Sequence, residues 1–222
     1  DTERIAAYYF SQGFLRANVL TPEVEFKGKK VYVHFTIEEG DRFTIGSLDF
    51  KGDMIYDRDF LFSKVKSSPG AIFNGQLLND DLIALKTLYS AKGFAFADIT
   101  PQTDIQPENK TVNVVFNIQK GDEIYLEKIR VSGNTKTRDN VIRREMTLLE
   151  GDLYDSNAID RSRQNINKLG FFEDVLINTE PGSVQDQVNL NVEVKERPTG
   201  TFSIGAGYSS VDSVMGMFQI SQ

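Results

Sequence analysis

The chain repeats itself. Gly40-Asp41 recurs as Gly121-Asp122, Gly52 as Gly133 and Gly70 as Gly151, each about 81 positions further on. Gly13-Phe14 returns as Gly93-Phe94 and again as Gly170-Phe171, at offsets of about 80 and 77. A period near 80 is longer than a solenoid unit and suits a small domain with its own core. It divides the 222 residues into copies expected at 1–41, 42–121 and 122–198, with a tail of different character at 199–222. A string of small modules points to binding rather than to turnover.

The middle copy shows the unit most clearly. Phe43 and Ile45, then Leu48 and Phe50, alternate ahead of Gly52 and read as a strand whose parity breaks at a bulge near Gly46-Ser47. Ile124, Leu126, Ile129 and Val131 carry the same break in the last copy. A helix follows, with Phe60, Leu61 and Val65 in one copy and Val141, Ile142 and Met146 in the other. Asp57 or Thr137 is expected to cap its start, and Gly70 or Gly151 to end it. A second helix bears Leu78, Leu82, Leu85 and Tyr89, or Ile159, Ile166 and Leu169, and closes on Gly93 or Gly170 in left-handed conformation. The last copy is about one turn shorter here, which keeps its apolar face in phase.

Two strands complete the unit. The final one alternates in all copies, as Val31, Val33, Phe35, Ile37, then Val112, Val114, Phe116, Ile118, then Val188, Leu190, Val192, Val194. The strand before it contains Pro22, Pro101 or Pro181. Proline has no donor for a ladder, so this strand belongs at a sheet edge. The order β-α-α-β-β predicts an α+β module, a three-stranded mixed sheet with two helices on one face.

Residues 1–41 match only the second helix and the last two strands. The apolar row on Val31, Val33, Phe35 and Ile37 is therefore expected to lack cover. In the tail, Phe202, Ile204, Ala206 and Tyr208 alternate with small or polar residues, and Val214, Gly216, Phe218 and Ile220 do so after a turn at Ser210 to Ser213. That pattern suits an ordinary amphipathic hairpin or the first strands of a transmembrane β-barrel, which two strands cannot close. No apolar run is long enough for a membrane helix. The chain opens on Asp1 in helical pattern and reads as a fragment whose targeting segment lies elsewhere.

A net charge of −7 without a Lys/Arg cluster excludes nucleic acid as a partner. The absence of cysteine excludes disulfides, thiolate zinc sites and a thiol nucleophile. Asp80-Asp81, Asp98, Asp104 and Glu38-Glu39-Asp41 lack ligand spacing and read as solvated carboxylates. His34 has no second His or Cys with which to share a metal. Gly205-Ala206-Gly207 lacks the helix and lysine of a phosphate loop. No catalytic, cofactor-binding or metal-binding residue is expected.

Phe14, Phe94 and Phe171 are expected in the core, with a peptide-docking stripe as the competing reading. The proline-bearing strands are where structure and function compete most closely. Their candidate strand-binding residues are Ile99, Thr103 and Ile105 in one module, and Val175 and Ile177 in the next. Pro101, Asp98 and Asp104 guard the first edge against pairing. The second has consecutive β-formers, Val175, Leu176 and Ile177, with Pro181 only at its far end. An extended segment adding a strand here through main-chain bonds would be tolerant of side chains, as many unfolded clients require.

With G-N-T (Gly133, Asn134, Thr135) after its first strand and L-G-F (Leu169, Gly170, Phe171) before its second, the unit resembles a POTRA (polypeptide-transport-associated) domain. Gly13, Phe14, Gly93 and Phe94 repeat the second signature. The step from V-E-V-K-E-R-P-T-G (Val192 to Gly200) into G-A-G-Y-S-S (Gly205 to Ser210) is similar to the point where the POTRA string of BamA-like outer-membrane β-barrel assembly factors enters the barrel. The resemblance implies a periplasmic string leading into a 16-stranded barrel in the outer membrane of a Gram-negative bacterium. It also implies unfolded outer-membrane β-barrel proteins as clients, accessory periplasmic lipoproteins as partners, and no cofactor. A two-partner secretion or TamA-type transporter and a soluble POTRA-like scaffold share the module pattern and remain open. The middle copy departs at Gly52-Asp53, where G-N is usual.

Overall fold

The computed structural model describes residues 2–197, 201–209 and 213–221. The chain forms two compact units, Asp1–Asp122 and Glu123–Gln222. The first begins with helix α1 (Thr2–Ser11) and the short strands β1 (Asn18–Val19), β2 (Glu23–Lys27), β3 (Lys30–His34) and β4 (Ile37–Glu38). β1 pairs antiparallel with β4, and β2 with β3. Val31 and Val33 are exposed, as their missing cover requires, while Phe35 and Ile37 are half-buried. The Phe10 ring meets Phe73 edge-on at 5.6 Å, and the Phe43 N–H donates to the Gly13 carbonyl at 2.8 Å. These contacts tie the partial copy to the complete module that follows.

That module comprises β5 (Thr44–Gly52), α2 (Arg58–Lys64), α3 (Gly75–Ser90), β6 (Asp98–Gln106) and β7 (Thr111–Gln119). Its sheet order is β5-β7-β6, with β5 parallel and β6 antiparallel to the central β7. The alternating residues of β7 are buried with Phe50, Leu61, Leu85 and Tyr89. The second unit repeats the plan as β8 (Tyr125–Ser132), α4 (Asp139–Arg143), α5 (Ser156–Lys168), β9 (Phe172–Pro181) and β10 (Gln187–Glu196), in the order β8-β10-β9. The pairing slips between Ile45 and Ser47 in one sheet and between Val188 and Asn189 in the other, the shared bulge read from sequence.

The unit ends in an antiparallel hairpin of β11 (Thr201–Ser209) and β12 (Ser213–Ser221). The rest of the expected tail, including the turn at 210–212, lies outside the described residues. Among the described residues no helix is long and apolar enough to cross a membrane.

Three local expectations need correction. α2 stops at Lys64 and α4 at Arg143, well before Gly70 and Gly151. Those glycines serve a later turn, where their N–H groups donate to the Ile45 and Leu126 carbonyls at 2.7 Å. The turn lays a short segment along the outer edge of the first strand, bridging Thr44 to Ile72 and Tyr125 to Leu153. Asp57 does cap α2, accepting from the Phe60 N–H at 2.7 Å, but Thr137 caps nothing. The N-cap of α4 is Arg138, with no side-chain bond.

Asp81 is not a solvated carboxylate. It is 1% exposed and accepts from the N–H groups of Lys66 at 2.6 Å and Ser67 at 2.9 Å. Because α2 ends early, the segment after it carries N–H groups without helical partners. A buried donor must be paired, and Asp81 supplies the acceptor.

Candidate functional site

The hydrogen-bond alternation of each central strand decides which main-chain groups face outward at the edges. The Asp53 N–H donates to the Ile118 carbonyl at 2.9 Å, so Ile118 and every second residue before it turn toward β5. The intervening residues bond to β6. By the observed register, the main-chain groups of Ile99, Pro101, Thr103 and Ile105 then point away from the sheet. In the second unit the Gly182 N–H donates to the Gln187 carbonyl at 2.9 Å. The same alternation turns Val175, Ile177, Thr179 and Pro181 outward. Each proline sits where a ladder donor is not needed.

The two edges of each sheet are therefore unequal. The first strand is occupied on its outer side near its start: Ile45 bonds to Ala71 and Leu126 to Asp152, and the Ile129 N–H to the Glu150 carboxylate at 2.9 Å. Neither β6 nor β9 has a further strand neighbour among the described residues. One candidate is nevertheless blocked. The outward N–H of Val175 donates to the Asp174 carboxylate at 2.9 Å, which leaves Ile177 and Thr179 as the open donors of β9. The side chains of Ile99 and Val175 are buried and that of Ile177 half-buried, while Thr103 and Ile105 are exposed. Any strand added here would meet main chain first.

The glycines of the repeat, Gly13, Gly93, Gly133 and Gly170, all have positive φ. At Gly133 a second constraint applies, since a Cβ would collide with the Val194 carbonyl oxygen. The aromatic residues beside the other three do not share one environment. Phe94 is buried and Phe14 half-buried, but Phe171 is 42% exposed and Phe172 takes the core position at 1%. The expectation of a buried Phe171 fails because of a bulge. The β9–β10 register passes from Lys195↔Asp174 to Glu196↔Phe172, so Glu173 is skipped and the alternation counted back from Val175 and Ile177 inverts.

Exposed Phe171 lines a cavity of about 310 Å³ with Val141, Lys136, Thr137, Arg138, Glu196 and Arg197. Its geometry is set by the end of β10. Glu196 accepts from the Thr137 N–H at 2.6 Å, the Thr135 hydroxyl at 2.7 Å and the Lys136 N–H at 3.0 Å. The Thr137 N–H, then the Thr135 hydroxyl, hold the carboxyl at about 2, far below the usual carboxylate range. The depressed value fixes the sign of its pH dependence. This clamp is complete above the ordinary carboxylate pKa and is lost as pH falls from there toward 2. On the other side, the Arg197 N–H donates to the Phe171 carbonyl at 3.0 Å and its Nε to the Phe172 carbonyl at 3.0 Å.

Lys136, Arg138 and Arg197 outnumber the Glu196 carboxylate, so the rim is cationic. Lys136 and Arg138 have no ion-pair partner among the described residues. Sequence reading missed this cavity. Its residues come from three separate stretches of chain, and the visible signal, V-K-E-R beside G-N-T-K-T-R, says nothing of their contact.

Comparison with known proteins places these features in a family. A family model described as POTRA, surface antigen variable number repeat, matches residues 1–40, 43–121 and 124–197. The outer membrane protein assembly factor BamA of Nitratidesulfovibrio vulgaris is 32% identical over 214 residues, covering 95% of this chain and 27% of its own length. BamA of Neisseria meningitidis serogroup B is 30% identical over 212 residues, covering 94% and 27%. The chain thus spans about a quarter of the length of these curated relatives. The crystal structure of BamA from Haemophilus ducreyi lacking POTRA domains 1-3 superposes with TM-score 0.62 at 27% identity, covering 78% of this chain and 33% of that one. The crystal structure of Haemophilus influenzae BamA POTRA3-5 shares the fold, with TM-score 0.76 at 24% identity and coverage of 88% and 78%.

Proposed function

The chain belongs to the POTRA family, and on that premise we propose that it is the periplasmic POTRA region of a BamA-like outer-membrane protein assembly factor. In this reading it binds unfolded β-barrel clients by strand addition and positions them for insertion. It lies on the periplasmic side of the outer membrane, joined to it through a barrel that begins with β11 and β12. Accessory periplasmic lipoproteins are further expected partners. The observation that carries the reading is the inequality of edges: loops of each module bridge the outer side of β5 and β8 near their starts, while among the described residues no such bridge lies on β6 or β9, whose alternate main-chain groups turn outward. Strand addition needs those groups and little else, so a surface of this kind accepts varied sequences.

The test uses an extended peptide taken from an outer-membrane barrel strand. Ile177→Pro removes an outward donor of β9 without breaking a bond to β10. One main-chain hydrogen bond lost corresponds to roughly threefold to tenfold weaker binding. Unchanged affinity in a variant shown by circular dichroism to be folded would end the proposal for this edge. Thr103→Pro makes the same test on β6.

A further inference from the structure

We infer that the cavity at the end of β10 is a docking point for anionic phospholipid headgroups, which seats the last module against the bilayer surface. The inference rests on the proposed function in one respect, that β11 and β12 enter a membrane. Pro198, Thr199 and Gly200 alone separate Arg197 from Thr201. Four virtual bonds of trans backbone span at most about 15 Å. The Arg197 Cα, at the edge of the cavity it lines, is therefore tethered within that distance of the first residue of β11, whatever the path of the connection.

The chemistry of the cavity fits such a neighbour. Lys136, Arg138 and Arg197 place three cations on one rim of a chain whose net charge is −7. The carboxylate among them, Glu196, is already satisfied by three donors from the loop after β8. Phe171 and Val141 add an apolar floor, and Phe171 is 42% exposed although the residue after it is core. Cations beside exposed apolar side chains match the interfacial zone of a bilayer, where headgroup phosphates lie above the first methylenes of the acyl chains. At physiological salt the Debye length is about 8 Å, so the acidic remainder of the chain does not cancel this local field.

The 222-residue chain is mixed with vesicles of phosphatidylcholine alone, or of phosphatidylcholine with one quarter phosphatidylglycerol, at physiological salt, and bound protein is measured by flotation. Vesicles of phosphatidylcholine report insertion of the hairpin by itself. The expected result is a clear excess of binding to the anionic vesicles. Lys136→Gln with Arg138→Gln should remove that excess, on the order of tenfold or more for two cations, while leaving the phosphatidylcholine signal in place. Phe171→Ala should reduce it to a smaller degree. The double variant should still bind the barrel-strand peptide, so loss of lipid binding and failure of strand addition are told apart.

Equal binding to the two vesicle types, no binding to either, or an excess that survives the double variant would each overturn the inference. So would inorganic phosphate, titrated against the Lys136 and Thr137 amide resonances, saturating the cavity at micromolar concentration, because the site would then read free phosphate. Saturation by a carboxylate-terminated apolar peptide that also displaces the vesicles would assign the cavity to peptide instead.

Discussion

The middle and last modules keep the same anchoring positions but fill them with different chemistry. Asp81 on α3 and Ser162 on α5 hold matching places, and each receives the N–H of the segment after the preceding short helix: Lys66 and Ser67 in one, Thr147 at 2.9 Å in the other. The loop after the first strand is tied to the end of the last one in both. In the middle module the loop supplies the carboxylate, Asp53, which accepts from the Lys120 N–H at 3.3 Å. In the last module the strand supplies it, Glu196, and the loop supplies three donors. The repeat thus fixes where a main-chain donor outside the helices and sheet is satisfied, and leaves open which side chain does it. The departures gather at one end of the last module, around Arg138, Phe171 and Glu196.

The largest expected difference is between adjacent aromatic residues. Phe172→Ala should destabilise the last module by about 3–5 kcal/mol, because it empties a fully buried site. Phe171→Ala should shift the melting midpoint little. A reversed order would mean that the β9 bulge at Glu173 is absent in solution, and that Phe171 is core as its counterpart Phe94 is.

This pair also shows what the sequence made legible and what it hid. Element order, the first-strand bulge and the proline edges follow from apolar parity and from glycine or proline placement, which act locally. The inward choice between Phe171 and Phe172 depends on a bulge in β9 that has no counterpart in β6, so counting back from Val175 gives the wrong face. Asp81 escaped notice for a related reason. Its burial follows from the early end of α2, whose apolar residues run on past the helix through Val65. The cavity at Glu196 was hidden more deeply, since it exists only where three distant stretches of chain meet.

A smaller contrast is expected between the two buried anchors. Asp81→Ala leaves the buried N–H of Ser67 and the N–H of exposed Lys66 without their acceptor and should lower stability by about 2–3 kcal/mol, most of it from Ser67. Ser162→Ala removes a neutral acceptor for one N–H, and the Thr147 hydroxyl keeps its bond to the Ala158 carbonyl at 2.7 Å, so about 1 kcal/mol is expected. Chemical denaturation with probes in each module measures both. Equal losses would show that neither the charge at this position nor the number of N–H groups it serves sets the cost.

The smallest difference links stability to the cationic rim. Asp57 caps α2, and Asp57→Ala should destabilise the middle module by about 1 kcal/mol. At the matching position the last module carries Arg138, which makes no capping bond, so Arg138→Asp should stabilise that module by roughly 0.5–1 kcal/mol. A residue that breaks a local rule without local compensation marks a site selected for something else. If that something is headgroup binding, the variant with the higher melting midpoint should be the one that loses its excess affinity for phosphatidylglycerol vesicles. A rise in stability with lipid binding intact would leave Arg138 outside the docking surface and reduce the rim to Lys136 and Arg197. No rise in stability would place the resistance of α4 in its short length, five residues, which gives a cap too few helical bonds to support.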